Sequence, residues 1–222
     1  MDIIGRRPDD IGPATALNPQ ERNTLIELAK ITKNDTFYDF GSGHGYLVFD
    51  VVRKTRAKKA VGIEMDFARF SRSVNEARRK LTRKQLDRTE LYCADYFSYD
   101  VSDATVIYEG HERTAHEVAE FERLLDNGKK VRVVTVDLPL VGYRPVRIAN
   151  HESTRFFVMR TPFSRYRVGN PDTWASYALG KEGAKIRDVF EYYDALLNKR
   201  GFTRRERQNA VRKLKSVVRS CF

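Results

Sequence analysis

At 222 residues, with 41% hydrophobic residues and a formal net charge of +11, the chain can hold one α/β domain of about 150 residues plus an extension. This composition excludes global disorder, and no apolar run approaches the roughly 20 residues needed to span a bilayer. Two cysteines, Cys93 and Cys221, supply neither a disulfide framework nor a metal-ligand cluster. The N-terminus, Met1-Asp2-Ile3-Ile4-Gly5-Arg6-Arg7, lacks the apolar stretch of a secretion signal, so the expected compartment is intracellular and reducing: cytoplasm, or nucleus in a eukaryote.

Residues 11–17 have no regular pattern and read as a loop. Asn18-Pro19-Gln20-Glu21 then combines a capping residue, a proline at the first helical position and a glutamate at the third. Leu25, Ile26, Leu28, Ala29 and Ile31 form the apolar face of a helix ending near Thr32-Lys33-Asn34-Asp35. Thr36-Phe37-Tyr38 is a short apolar run. It leads into Asp39-Phe40-Gly41-Ser42-Gly43-His44-Gly45 and then a helical stretch, Tyr46 to Val52. Further strands are expected at Ala60 to Glu64, Leu91 to Phe97, Ala104 to Tyr108 and Val131 to Val136. His111 to Leu125 reads as a helix with Val118, Phe121, Leu124 and Leu125 on one face, stopped by Asp126-Asn127-Gly128. Val146 to Asn150 and Arg155 to Arg160 read as a closing antiparallel pair. The expected division is an α/β domain over residues 1–162 and a basic, mostly helical extension over 163–222.

The glycine stretch carries the chemistry. It follows a strand and opens a helix, the context in which a glycine loop is evidence for a nucleotide-type ligand. Gly41 and Gly43 permit backbone angles that a Cβ would forbid and let a ligand approach the main chain. The dinucleotide fingerprint G-x-G-x-x-G fails, because its third glycine falls on Tyr46. The spacing is G-x-G-x-G after an acid, Asp39, which favours S-adenosylmethionine over NAD. The next strand ends in Glu64, about 20 residues on, where a ribose diol would find a carboxylate. The third run carries Asp95, with Tyr96 and Phe97 able to pack on an adenine. Singly, Glu64 and Asp95 also suit N-caps of the segments that follow them.

These motifs, in this order, resemble class I S-adenosylmethionine-dependent methyltransferases over roughly residues 10 to 162. The chain is most similar to the disruptor-of-silencing histone-lysine methyltransferases and the small archaeal protein-lysine methyltransferases. Asp39 to Gly45 resembles the D-L-G-S-G-x-G of the histone enzymes, Gly62-Ile63-Glu64 their G-[VI]-E, and Ala94-Asp95-Tyr96-Phe97-Ser98 their G-D-F-[LF]-S. Leu138 to Pro145 resembles the corresponding link of the archaeal enzymes. The chain departs where the histone enzymes have N-N-F, since it reads Glu109-Gly110-His111. The resemblance implies a Rossmann-like α/β sheet with a closing antiparallel hairpin, S-adenosyl-L-methionine as cofactor, and a protein lysine as acceptor. It implies cofactor contacts from Asp39, Gly41, Ser42, Gly43, Gly45, Tyr46, Glu64, Met65, Asp95 and Tyr96, with Thr15 on an N-terminal loop folding over the methionine end.

Methyl transfer to lysine needs an aligned, neutral amine in a dry channel. Tyr108, Tyr96, Phe97 and Tyr143 are candidate walls, and Glu109 is placed to orient the amine or accept a proton, with His111 as runner-up. Glu109 and His111 suit a capping role as well, and the aromatics suit a core. No [DNS]-P-P-[YF] or Pro-Cys follows the fourth strand, which argues against exocyclic adenine methylation and thiolate attack on cytosine. RNA stays open as an acceptor, and so does a non-catalytic basic nucleic-acid-binding protein, because residues 181–222 hold 12 basic and 5 acidic side chains. Val211, Leu214, Val217 and Val218 recur at helical spacing there, so a basic helix face could engage RNA, a ribosome or chromatin. A second basic block spans Arg53 to Lys59.

Overall fold

The computed structural model describes residues 16–110, 124–125, 130–137 and 145–161, and further on 203–206, 208–209 and 212. The chain divides after Glu109 into two compact units.

The first unit opens with α1 (Pro19–Ala29), held by the expected capping box. The Asn18 side chain accepts from the Gln20 and Glu21 N–H groups, and the Glu21 carboxylate accepts from the Asn18 N–H. The helix stops earlier than the apolar pattern suggests because Lys30 takes a left-handed φ of 50° and caps it. Then follow β1 (Thr36–Phe40), α2 (Tyr46–Lys54), β2 (Lys59–Glu64), α3 (Phe67–Lys80), the short α4 (Arg83–Leu86), β3 (Thr89–Cys93) and β4 (Val106–Glu109).

All four strands are parallel, ordered β3-β2-β1-β4. The order reverses at β1, and at such a switch point a crevice opens outside the carboxyl ends of the strands. β1 is buried along its whole length, and Phe37, Phe40, Phe49, Ile63 and Ile107 are among the largest fully buried side chains. α2 packs against β1, β2 and α1, so Leu47 through Val52 are all buried. β3 ends at Cys93 rather than running to Phe97. Asp95 turns the chain by accepting from the Phe97 N–H at 3.0 Å, and a single 3-10 turn, Tyr96–Ser98, follows.

The second unit contains β5 (Arg132–Val136), β6 (Arg147–His151) and β7 (Thr154–Arg160). β7 pairs antiparallel with both neighbours, and Phe156 through Met159 are fully buried. The hairpin expected around residues 150–153 is present, with Glu152 at a φ of 52° in its turn. Of the helix expected over 111–125, only Leu124 and Leu125 are described, and both are helical. Tyr143, the 163–202 segment and the apolar positions of the C-terminal helix lie outside the described residues. Arg204–Glu206, Gln208, Asn209 and Arg212 are helical. No helix among the described residues is long and apolar enough to cross a membrane.

Candidate functional site

The switch point concentrates the motif residues. In a parallel sheet, register partners share a face and successive residues alternate. Asp39 pairs with Gly62 and Tyr108, and Phe40 with Ile63 and Glu109. Asp39, Gly62, Glu64 and Tyr108 therefore share one face, while Phe40, Ile63 and Glu109 share the other.

The glycine loop crosses the first of these faces. The N–H groups of Gly41 and Ser42 both donate to the Ile63 carbonyl, at 2.9 and 3.0 Å. Gly41, Gly43 and Gly45 have φ of 77°, 54° and 78°, angles that L side chains rarely adopt. A Cβ at Gly45 would also lie 2.8 Å from the Phe49 ring, whereas one at Gly43 would meet nothing within 4 Å. Glycine at 45 is thus required by packing, and glycine at 43 leaves open space beside the main chain. Facing that space, the Glu64 carboxylate accepts from the Gly43 N–H at 2.8 Å and from the Asp66 N–H at 2.9 Å. Only 5% of Glu64 is exposed, and each oxygen keeps a lone pair for a further donor. Glu64 does not cap α3; Asp66 does, by accepting from the Arg69 N–H.

A cavity of about 80 Å³ opens against this loop. Asp39, Gly41, Ser42, Gly43, Tyr46 and Tyr108 line it, all of them expected from sequence. Ala16, Leu17, Arg22, His44 and Leu47 complete the wall and were not among those expectations. Arg22 is the informative omission. Its Nε donates to Asp50 Oδ2 at 2.7 Å and its Nη1 to the Leu17 carbonyl at 2.6 Å. It thereby ties the segment before α1 to the middle of α2. Its guanidinium also stands 5.8 Å from the centroid of the Tyr46 ring, and the Lys80 ammonium stands 4.8 Å from the same centroid. The signal was in the sequence: Arg22 lies three and four residues before Leu25 and Ile26 on the buried face of α1. Asp50 interrupts an apolar run and needs a partner.

The remaining expected residues lie elsewhere at this sheet end. Phe40 stacks on Tyr96 at 4.7 Å with a 5° interplanar angle, and Phe97 packs on Tyr96 at 4.7 Å. Glu109, 1% exposed, is on the Phe40 face and does not line the cavity that Tyr108 lines. Asp95 accepts from the Phe97 N–H through Oδ1 alone, as the cap described above. The Met65 carbonyl faces the Cys93 thiol. Burial, then the Glu64 and Asp66 carboxylates, push that thiol above its ordinary range, so no thiolate nucleophile forms there at neutral pH. Thr15 and His111 lie outside the described residues.

The model of the family described as histone methylation protein DOT1 matches residues 16–114. A protein-lysine N-methyltransferase of Saccharolobus islandicus (strain REY15A) is 27% identical over 131 residues, covering 58% of this chain and 78% of that protein. The fold is also similar to the RNA methyltransferase from Salinibacter ruber solved with S-adenosyl-L-homocysteine. That likeness has a TM-score of 0.60 and 23% identity, covering 69% of this chain and 97% of the other. These likenesses are to methyltransferases, and the structure shares the α/β fold of the Salinibacter ruber enzyme. The open space at the Gly43 Cβ position and the buried, pre-anchored Glu64 carboxylate beside it suit a ligand that brings a ribose diol against the main chain.

Proposed function

We propose that this chain is an S-adenosylmethionine-dependent methyltransferase that acts on the side-chain nitrogen of protein lysine. The observation that carries the reading is the similarity to the Saccharolobus islandicus protein-lysine N-methyltransferase. The DOT1-type match supports it, spanning the glycine loop, Glu64, Asp95 and Glu109.

In this reading Glu64 takes the ribose hydroxyls, and Asp39 with Gly41, Ser42, Gly43 and Gly45 frames the cofactor along the loop. Met65, Asp95 and Tyr96 border the adenine, and Tyr46 and Thr15 close the methionine end. S-adenosylmethionine supplies an electrophilic methyl group when bound. The chain's own task is to hold a lysine Nζ in line with that methyl, free of water and of its third proton. Tyr108, buried beside Asp39, walls the channel and disfavours the ammonium by desolvation. Glu109 orients the amine and receives its proton, with His111 as the alternative base. The methyltransferase domain runs over residues 1–162, and residues 163–222 form a basic extension. The substrate is a protein that works with nucleic acid, such as a ribosomal or chromatin protein.

A second reading, an RNA acceptor, is favoured by the net charge of +11. The two separate in one experiment: transfer of radiolabelled methyl from S-adenosylmethionine to a cell extract divided into nuclease-treated and protease-treated halves, with Asp39→Ala as control. Label that survives nuclease, vanishes with protease and hydrolyses to methyl-lysine supports the lysine reading. Label lost to nuclease overturns it in favour of RNA.

A further inference from the structure

The first unit has a second concave feature, at the amino edge of the sheet, away from the glycine loop. α1, α2 and α3 all finish at this edge, since each precedes a strand of the parallel sheet, and each finishes among cations. An open cleft of about 520 Å³ lies between the end of α1 and the end of α2. Ile26 and Ile31 contribute its apolar lining, and its charged residues are Lys30, Lys33, Lys54 and Arg56 against one carboxylate, Glu27.

The pairing pattern shows which of these cations are available. Lys54 is engaged by Asp50 at 3.2 Å. Lys33 and Arg56 are exposed, as is the adjacent Lys58, and none of the three has an ion pair among the described residues. The acid nearest in sequence, Asp35, is turned inward, where its carboxylate accepts from Thr32 and Thr105. The Lys58 N–H donates to the Asp35 carbonyl at 2.9 Å, which sets the Lys58 loop beside the Lys33 loop. Arg53 Nη2 donates to the Lys80 carbonyl at 2.8 Å. That contact brings the end of α3 to the same edge, where Arg79 and Lys80 are engaged by Glu76 and exposed Arg78, Arg83 and Lys84 follow the same stretch of chain.

We propose that this amino edge binds the phosphodiester backbone of a nucleic acid, apart from the carboxyl edge where methyl transfer takes place. The exposed cations are spread over the ends of α1, α2 and α3. A polyanion with regularly spaced charge can run from the cleft along the ends of α2 and α3 and satisfy several together, releasing counterions as it does so. The inference is independent of which acceptor is methylated, because none of these residues belongs to the candidate active site.

The test is binding of a fluorescein-labelled single-stranded RNA to the full chain by anisotropy over a salt series. Two variants are compared that lose the same total charge. Lys33→Gln/Arg56→Gln/Lys58→Gln strips the cleft, and Arg204→Gln/Arg205→Gln/Arg212→Gln strips the C-terminal segment. With about 0.7 counterions released per neutralised phosphate, the cleft variant should lower the salt slope by about 2 and the affinity at 0.1 M salt by about 100-fold. Its melting temperature and S-adenosylhomocysteine affinity should match the parent, which excludes misfolding as the cause. The C-terminal variant should keep most of the slope. Equal losses in both variants would mean that binding tracks net charge alone and would overturn the proposal. So would a loss confined to the C-terminal variant, absence of RNA binding by the parent, or equal affinity for poly-glutamate, which would assign the cleft to an acidic protein.

Discussion

Gly62→Ala is the perturbation whose outcome the packing around the glycine loop constrains most tightly. Gly62 lies inside β2, where a methyl group would stand 2.8 Å from Ser42 Oγ, 2.9 Å from Ser42 Cβ and 3.0 Å from Leu91 Cδ2. The Leu91 methyl ends a flexible side chain and can swing aside. Ser42 Cβ cannot, because its backbone is held by the Gly41 and Ser42 N–H bonds to the Ile63 carbonyl. Relief therefore requires the loop itself to move. Removing unfolded-chain entropy favours alanine by about 0.4–1 kcal/mol, while overpacking a tight site costs about 1–3 kcal/mol. The net destabilisation is about 1–2 kcal/mol, or about 3–6 °C in Tm for a chain of this size. Ser42 lines the cavity, so the displacement should also weaken S-adenosylhomocysteine binding by about tenfold, equivalent to about 1.4 kcal/mol. Thermal denaturation and isothermal titration calorimetry read the two effects. Adding Ser42→Gly removes both Ser42 contacts and should restore binding; adding Ser42→Ala leaves the 2.9 Å contact and should not. Wild-type affinity in Gly62→Ala, or rescue by Ser42→Ala as complete as by Ser42→Gly, would refute the reasoning.

Arg22→Met should lower stability by about 2 kcal/mol. That is less than the roughly 3–5 kcal/mol of a buried pair broken outright, because Lys54 remains at Asp50; urea denaturation measures it. Arg22→Lys should recover less than half, since one ammonium cannot serve both Asp50 and the Leu17 carbonyl; full recovery would show that charge alone matters. Glu109→Gln should reduce kcat by about 100-fold with S-adenosylhomocysteine affinity unchanged, and steady-state kinetics beside calorimetry would expose a binding role instead. Stability should fall in alkali. Tyr38 is held above its ordinary pKa by burial and by its bond to Asp103, and Tyr92 by Tyr99 and burial. Burial works against the Lys59 ammonium, but its bonds to Glu90 and Asp103 outweigh it and raise its pKa too. All three keep their protons longer in the folded chain. Their contribution is therefore whole below about pH 10 and is lost as pH rises through the folded values. Urea midpoints at neutral and alkaline pH should show this decline, and Tyr38→Phe should flatten it; an unchanged slope would remove Tyr38 from the account.

Much of this molecule was legible before any coordinates. The cap at Asn18, the order of the four parallel strands, the glycine loop with the helix it opens and the acid ending β2 are local signals. They depend on dihedral preferences and side-chain period, which a linear sequence carries directly. The end of β3 was misjudged because Tyr96 and Phe97 look like strand residues. Only the Asp95 cap, a side-chain bond to the Phe97 N–H, turns the chain before them. Tertiary structure alone decided which neighbours in sequence became neighbours in space. Tyr108 and Glu109 are adjacent in the chain, yet strand alternation sends Tyr108 to the glycine-loop face with Asp39 and Glu109 to the Phe40 face. Arg22 and Asp50 are 28 residues apart, and no local pattern joins them. Their pairing follows from α1 packing on α2, because the buried acid and the arginine can satisfy each other only once the two helices are in contact.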